Sequence, residues 1–333
     1  MIAQLDSHYI KTRPYKAYSR IISHLLFQGR YVTTGHRWLN NFILAELKLL
    51  SHLPQMKAVE KPIFIIGTGR SGSTILGKVL SMHKDIGFLN EPKALWYIVD
   101  PKDDVNGHFG KGEAKYRFDQ NDVSDRSLEA AHHLFGNYLT LTCSKRVLDK
   151  NPEIIFRIHY IKALFPDAKF IFLVRNGWDT IHSIVRWSQE NMQFISNEQQ
   201  DWWGVDRRKW DFMVEQLVSS EPLFANSYTE ICKLDRQDDM AAVEWVITMQ
   251  EGLKYLSGYE DSVYLLRYEM LTSSPVKALQ DLCEFCELPE DKTFLNYSKS
   301  ILTPNLSKSS ISLHPAVKNA FIETMLQLGY PVR

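Results

Sequence analysis

Gly67 to Thr74 read GTGRSGST, two glycines at the spacing of a phosphate-cradling loop followed by Ser73 and Thr74. An ATP-binding loop carries lysine where Ser73 stands; that lysine reaches the β- and γ-phosphates, and the hydroxyl after it holds Mg²⁺. Without the lysine, a nucleoside triphosphate is a poor ligand. The cation sits inside the loop instead, as Arg70. The backbone N–H groups of Arg70, Ser71, Gly72, Ser73 and Thr74, with the positive end of the helix they open, can still hold a phosphate. A second segment, Lys169 to Trp187, reads KFIFLVRNGWDTIHSIVRW. Here Arg175 ends an apolar run and Ser183 falls two turns into the next helical pattern. A guanidinium fork and a hydroxyl so placed can face one anion from two sides.

These residues need an α/β frame. Strand patterns at 62–66, 86–89, 146–149, 169–174 and 263–267 alternate with helical patterns at 73–82, 127–142, 153–164, 178–188, 207–218 and 240–257. Further helices are expected at 275–286 and 315–328. The alternation predicts a P-loop-like three-layer fold, a central parallel sheet flanked by helices. Residues 1–60 read as an N-terminal helical extension and 61–333 as the main domain. The extension should pack on the core. Tyr15, Lys16, Arg20, Arg30, Arg37 and Lys48 give it basic character, so a membrane-surface or homodimer face is the alternative. Asp100 to Asp125 and Gln189 to Arg208 read as loops. The second carries Phe194, Trp202 and Trp203 and could be a substrate lid or a surface segment pinned by its tryptophans.

The 39 basic and 39 acidic residues balance, so nothing pulls the chain toward nucleic acid. Four cysteines make no disulfide framework. Cys283 and Cys286 form one CxxC without the second pair that a zinc site needs, and helix-face packing accounts for them. No run is long and apolar enough for a transmembrane segment, nor does the start read as a signal peptide. The expectation is a soluble, cytoplasmic protein with no metal.

Arg70-Ser71-Gly72-Ser73-Thr74 and the Arg175/Ser183 pair together resemble the sulfotransferases that use 3′-phosphoadenosine 5′-phosphosulfate (PAPS). In that family a [KR]SGTT loop binds the 5′-phosphosulfate, and an Arg followed eight positions later by Ser binds the 3′-phosphate. Leu266-Arg267-Tyr268-Glu269-Met270 is similar to the family's RYEDL segment, which implies that Tyr268 contacts adenine. The resemblance spans about Lys61 to Ser310. The run RSGSTILGKVLSMHKDIGFLNEP looks like the carbohydrate type, and a glutamate at this point is shared with the tyrosylprotein type. Glu91 lies just past a strand end beside the loop, which makes it the candidate general base; simple pairing with Arg70 or Lys93 is the alternative. The resemblance further implies that Lys150 touches the sulfuryl and bridging oxygens and that Arg70 stabilises the leaving group. Where the cytosolic branch has a catalytic histidine, this chain has Pro152, which argues against a histidine base. Asn305-Leu-Ser-Lys resembles a stretch of the tyrosylprotein group and implies cofactor contact by Ser307 and Lys308. The expected reaction is sulfuryl transfer from PAPS to an acceptor hydroxyl, with a sugar favoured and a lipid, small molecule or tyrosine open. A degenerate P-loop kinase and an inactive nucleotide-binding module are the competing readings.

Overall fold

The computed structural model describes residues 4–29, 38–195, 197–304 and 310–331. Arg30, Arg37, Ser307 and Lys308 lie outside the described residues. Three helices come first: α1 (Ser7–Thr12), α2 (Pro14–Ile22) and α3 (Leu39–His52). Then β1 (Ile63–Gly67) leads into α4 (Ser73–Leu80), β2 (Ile86–Asn90) into α5 (Lys93–Val99), and α6 (Asp125–Leu141) into β3 (Arg146–Lys150). A 3₁₀ turn over Pro152–Arg157 precedes α7 (Ile158–Leu164), followed by β4 (Lys169–Val174) and α8 (Gly177–Asn191). Three short strands follow, β5 (Gln193–Ile195), β6 (Glu198–Asp201) and β7 (Gly204–Val205), and then α9 (Arg208–Gln216), α10 (Tyr228–Ile231) and α11 (Gln237–Lys254). The chain continues through β8 (Val263–Arg267), α12 (Tyr268–Ser273), α13 (Pro275–Phe285), α14 (Lys292–Ile301) and α15 (Pro315–Gln327).

Five strands form one parallel sheet in the order β2-β3-β1-β4-β8. β1 is buried along its whole length, so both of its faces must be apolar. Phe64 and Ile66 point into one core with Phe170, Phe172 and Val174; Ile63 and Ile65 point into the other with Ile171 and Leu173. α6, α8 and α11 cover the first face, and α4, α13 and α14 cover the second. β1 pairs with β3 on one side and β4 on the other, so the order reverses at its C-terminal end. That is where an open α/β sheet leaves a crevice for a ligand.

The N-terminal helices turn their cations inward. Lys16 and Arg20 on α2 are buried and donate to the Ile86 and Phe88 carbonyls of edge strand β2. Burial pushes the Lys16 amine down to about 7. Of the basic residues expected on this face, these two instead cap a sheet edge that would otherwise expose unpaired carbonyls.

Gln189–Arg208 is not a loop. α8 continues to Asn191, and β5, β6 and β7 form a three-stranded antiparallel flap. Its strands are short and mostly polar, QFI, EQQD and GV, so they carry no apolar alternation to betray them. Trp203 is buried and meets Trp210 edge to face at 5.6 Å. Phe194 is exposed. α5 and α14 also lie where no helix was expected, and the 153–164 pattern divides into a 3₁₀ turn and α7. Cys283 and Cys286 are buried in the second core. Among the described residues no helix is long and apolar enough to cross a membrane.

Candidate active site

The loop after β1 is set by its backbone. Gly72 sits at φ 98° and caps α4. A Cβ there would lie 2.3 Å from the Tyr268 ring, so both conformation and space demand glycine. Ser71 closes the turn: its hydroxyl donates to the Thr68 carbonyl at 2.7 Å and its N–H points to the same oxygen. Ser71 therefore shapes the cradle with its hydroxyl already engaged. Ser73 is buried and Thr74 exposed in the first turn of α4. Arg70 adopts φ 66°, a left-handed conformation uncommon for a non-glycine residue.

The two motifs meet here. Arg70 Nε donates to Ser183 Oγ at 3.2 Å, and an Arg175 terminal nitrogen donates to the Arg70 carbonyl at 3.3 Å. Burial lowers the Arg70 pKa from its ordinary value; the Arg175 charge adds to this and Glu91 opposes it. Two guanidiniums are thus held side by side near the α4 N-terminus, with the Asp179 carboxylate 3.8 Å from Arg175, an arrangement with the donors to receive an anion. Arg175 Nε is buried without a partner among the described residues. The arginine is positioned from behind: Trp245 Nε1–H donates to its carbonyl at 3.2 Å, and Glu269 accepts the N–H of Asn176 at 3.0 Å. Glu269 belongs to the RYE segment, and in the same segment the Tyr268 ring lies against Gly72 with the Arg175 guanidinium 4.5 Å from its centroid. Tyr268 is thus a buried platform beneath the loop and the arginine.

Glu91 follows β2 at φ 50°, with its N–H donating to the Lys150 carbonyl at 2.7 Å. Its carboxylate pairs with Lys150, and its charge also acts on Arg70. Lys93 instead pairs with Glu153 and donates to Asn151 Oδ1 at 3.1 Å. Glu91, Lys150, Arg70, Ser73 and Thr74 all line one cavity of about 360 Å³ at the sheet's C-terminal edge. Asp149, next to Lys150, is fully buried, and burial pushes its carboxyl up to about 7 although Trp96 Nε1–H donates to it at 2.7 Å.

The far wall of the cavity comes from elements that carried no motif. Trp202, at the tip of the flap, lies so close to Gly69 that a Cβ there would be 2.5 Å from the indole. Trp202 Nε1–H donates to Glu244 on α11, and Glu244 also accepts from Lys209 at 2.6 Å. The Lys209 ammonium lies 4.5 Å from the Trp202 ring centroid, and Trp187 meets Trp202 edge to face at 5.3 Å. One available signal was Glu244 itself, a lone acid in the apolar run MAAVEWVIT. Trp187, Lys209 and Glu153 gave none.

The sulfotransferase family model matches residues 62–231, about half the chain. A Drosophila melanogaster protein-tyrosine sulfotransferase is 23% identical over 271 residues, covering 79% of this chain and 46% of that protein. Human protein-tyrosine sulfotransferase 1 is 29% identical over 126 residues, covering 37% of this chain and 33% of that protein. The chain spans about half the length, or less, of the curated relatives it matches. The sulfotransferase domain of the Synechococcus PCC 7002 olefin synthase aligns with a TM-score of 0.50 at 19% identity, over 84% of this chain and 98% of that one, a likeness of fold. With the loop, the paired arginines and the family match in agreement, the chain belongs to the sulfotransferase family.

Proposed function

We propose that this chain transfers the sulfuryl group of PAPS to an acceptor hydroxyl, with Glu91 as general base. The observation that carries the reading is the convergence of Arg70, Arg175 and Ser183 at one end of the phosphate loop and of Glu91 and Lys150 at the other. The residues fit a doubly phosphorylated nucleotide: the loop N–H groups and the α4 N-terminus suit one anionic group, and Arg175 with its unpartnered Nε suits a second. Bound there, PAPS supplies an activated sulfuryl group and a bisphosphate leaving group. Ser73 and Thr74 are assigned hydroxyl donation from the first turn of α4. Arg70 and Lys150 are assigned the charge that grows on the leaving oxygen. Glu91 takes the acceptor proton, a role worth about 10²–10⁴-fold. A sulfuryl group carries less charge than a phosphoryl group, so this reading asks for no metal ion. Tyr268 is assigned to the nucleotide side as the platform under Gly72, and Ser307 and Lys308 remain assigned to cofactor contact on the family resemblance alone. The glutamate-type motif extends the reading to a sugar hydroxyl.

Thermal unfolding with adenosine 3′,5′-bisphosphate, in parallel with Mg²⁺-ATP, tests it. At about 100 times its Kd a native-state ligand adds roughly 2.7 kcal/mol. Stabilisation by the bisphosphate alone is expected. A response confined to Mg²⁺-ATP would overturn the assignment in favour of a kinase.

A further inference from the structure

The acceptor side of the cavity holds its charges in closed pairs. Lys150 is bound to Glu91, Lys93 to Glu153 and Lys209 to Glu244. All three lysines are buried. A fourth carboxylate, Asp201, accepts from the Trp203 N–H and the Gln199 and Gln237 amides. Each of these three lysines is therefore matched, and among the described residues Asp201 adds a carboxylate with no lysine partner. The apolar remainder is mostly aromatic, Phe156, Trp187 and Trp202, with Met213 beside them. The side chain of Asn90, also in the lining, presents a buried oxygen with no partner among the described residues. That amide can turn to present its oxygen or its NH₂, so it can meet a hydroxyl without drawing on any of the lysines.

We propose that the acceptor is an uncharged ring compound bearing a hydroxyl, and that the three closed lysine–carboxylate pairs exclude anionic acceptors. The inference rests on the sulfotransferase reading of this site and narrows it. An anionic ring would have to draw a lysine away from its carboxylate and leave that carboxylate buried and unpaired, a costly exchange. A neutral ring stacks on the indoles and leaves the pairs intact. Discrimination by unmet charge is a general route to specificity.

Two matched probe pairs test this on the full chain saturated with adenosine 3′,5′-bisphosphate. They are 2-naphthol against 6-hydroxy-2-naphthoate, and methyl glucoside against methyl glucuronide. The naphthols differ by one added carboxylate, and the glucosides by a carboxylate in place of the C6 hydroxymethyl group. Binding is read by tryptophan fluorescence, independently of turnover. The neutral member of at least one pair should bind about tenfold or more tightly than its anionic twin, and which pair responds separates an aryl from a sugar acceptor. Glu153→Gln, which releases Lys93, should narrow that gap, and Glu244→Gln, which releases Lys209, provides a second and separate trial. Equal or tighter binding of the carboxylates, no binding by any of the four, or a gap unmoved by both variants would overturn the proposal. Failure of the underlying reading has a different signature: the bisphosphate itself would not bind, or a bound neutral probe would never gain sulfate when PAPS replaces it.

Discussion

The two ends of the cavity are built by different means. At the phosphate end the chain uses local backbone: a glycine at φ 98°, a hydroxyl closing its own turn, and a helix N-terminus, all within Gly67 to Thr74. At the acceptor end it uses ion pairs between residues far apart in sequence, Lys93 with Glu153, Lys150 with Glu91 and Lys209 with Glu244. A group that is the same in every donor molecule can be met by backbone, which has few ways to vary. On the proposed reading an acceptor is met by side chains from several separate elements, which can vary more freely than the loop. If so, binding of the donor and choice of the acceptor should be separable by substitution.

Glu91 sits where the two ends join, so its loss gives the largest expected effect. Glu91→Gln should lower kcat by about 10²–10⁴-fold with adenosine bisphosphate affinity kept within about threefold. A near-native rate in a transfer assay would remove Glu91 as the base. Next comes Arg175→Ala, which deletes a charged fork from the phosphate end. Charged hydrogen bonds are worth about 1.5–3 kcal/mol, so bisphosphate affinity in a calorimetric titration should fall roughly 10- to 100-fold while acceptor KM at saturating donor holds. Trp202→Ala is its mirror image. Acceptor KM should rise by about tenfold as the stacking wall is lost, and the bisphosphate Kd should stay within about twofold. If Trp202→Ala instead weakened the bisphosphate as strongly as Arg175→Ala does, the two ends would not be separable, because the indole on Gly69 would be supporting the loop.

The smallest effect concerns the buried carboxyl behind Lys150. Burial raises Asp149 from its ordinary value to about 7, so between about pH 4 and pH 7 the folded chain keeps a proton that the unfolded chain has lost. Its contribution to stability therefore falls as pH rises through that window and is level above it. Asp149→Asn keeps an oxygen for the Trp96 N–H and removes the titration. Relative to the parent chain, the variant should gain stability as pH rises from 4.5 to 7.5 in urea unfolding. Parallel pH profiles for the two would mean that Asp149 is ionised when folded.

Legibility followed the same divide. The strands at 63–67 and 169–174 were readable because burial on both faces demands unbroken apolar runs. The loop was readable because GxxxxG is a backbone requirement written in composition. Arg175 and Ser183 were readable because one helix sets their spacing. The flap was not, since its short polar strands carry no period, and neither was α5, whose KALWYIV is buried on most sides and so shows no polar face. Lys16 and Arg20 looked like surface charge, and only packing revealed them as caps on edge strand β2.

The sequence alone carried the strand–helix alternation of an α/β fold, a phosphate loop without the ATP lysine and the Arg175/Ser183 spacing, because each is written in a run or a spacing of about ten residues. Only the tertiary structure decided that Glu91 joins Lys150, that Trp202 closes on Gly69, and that Glu244 holds both Trp202 and Lys209. Those contacts join segments 35 to 133 positions apart, and no local periodicity or spacing encodes which side chains such segments will bring together.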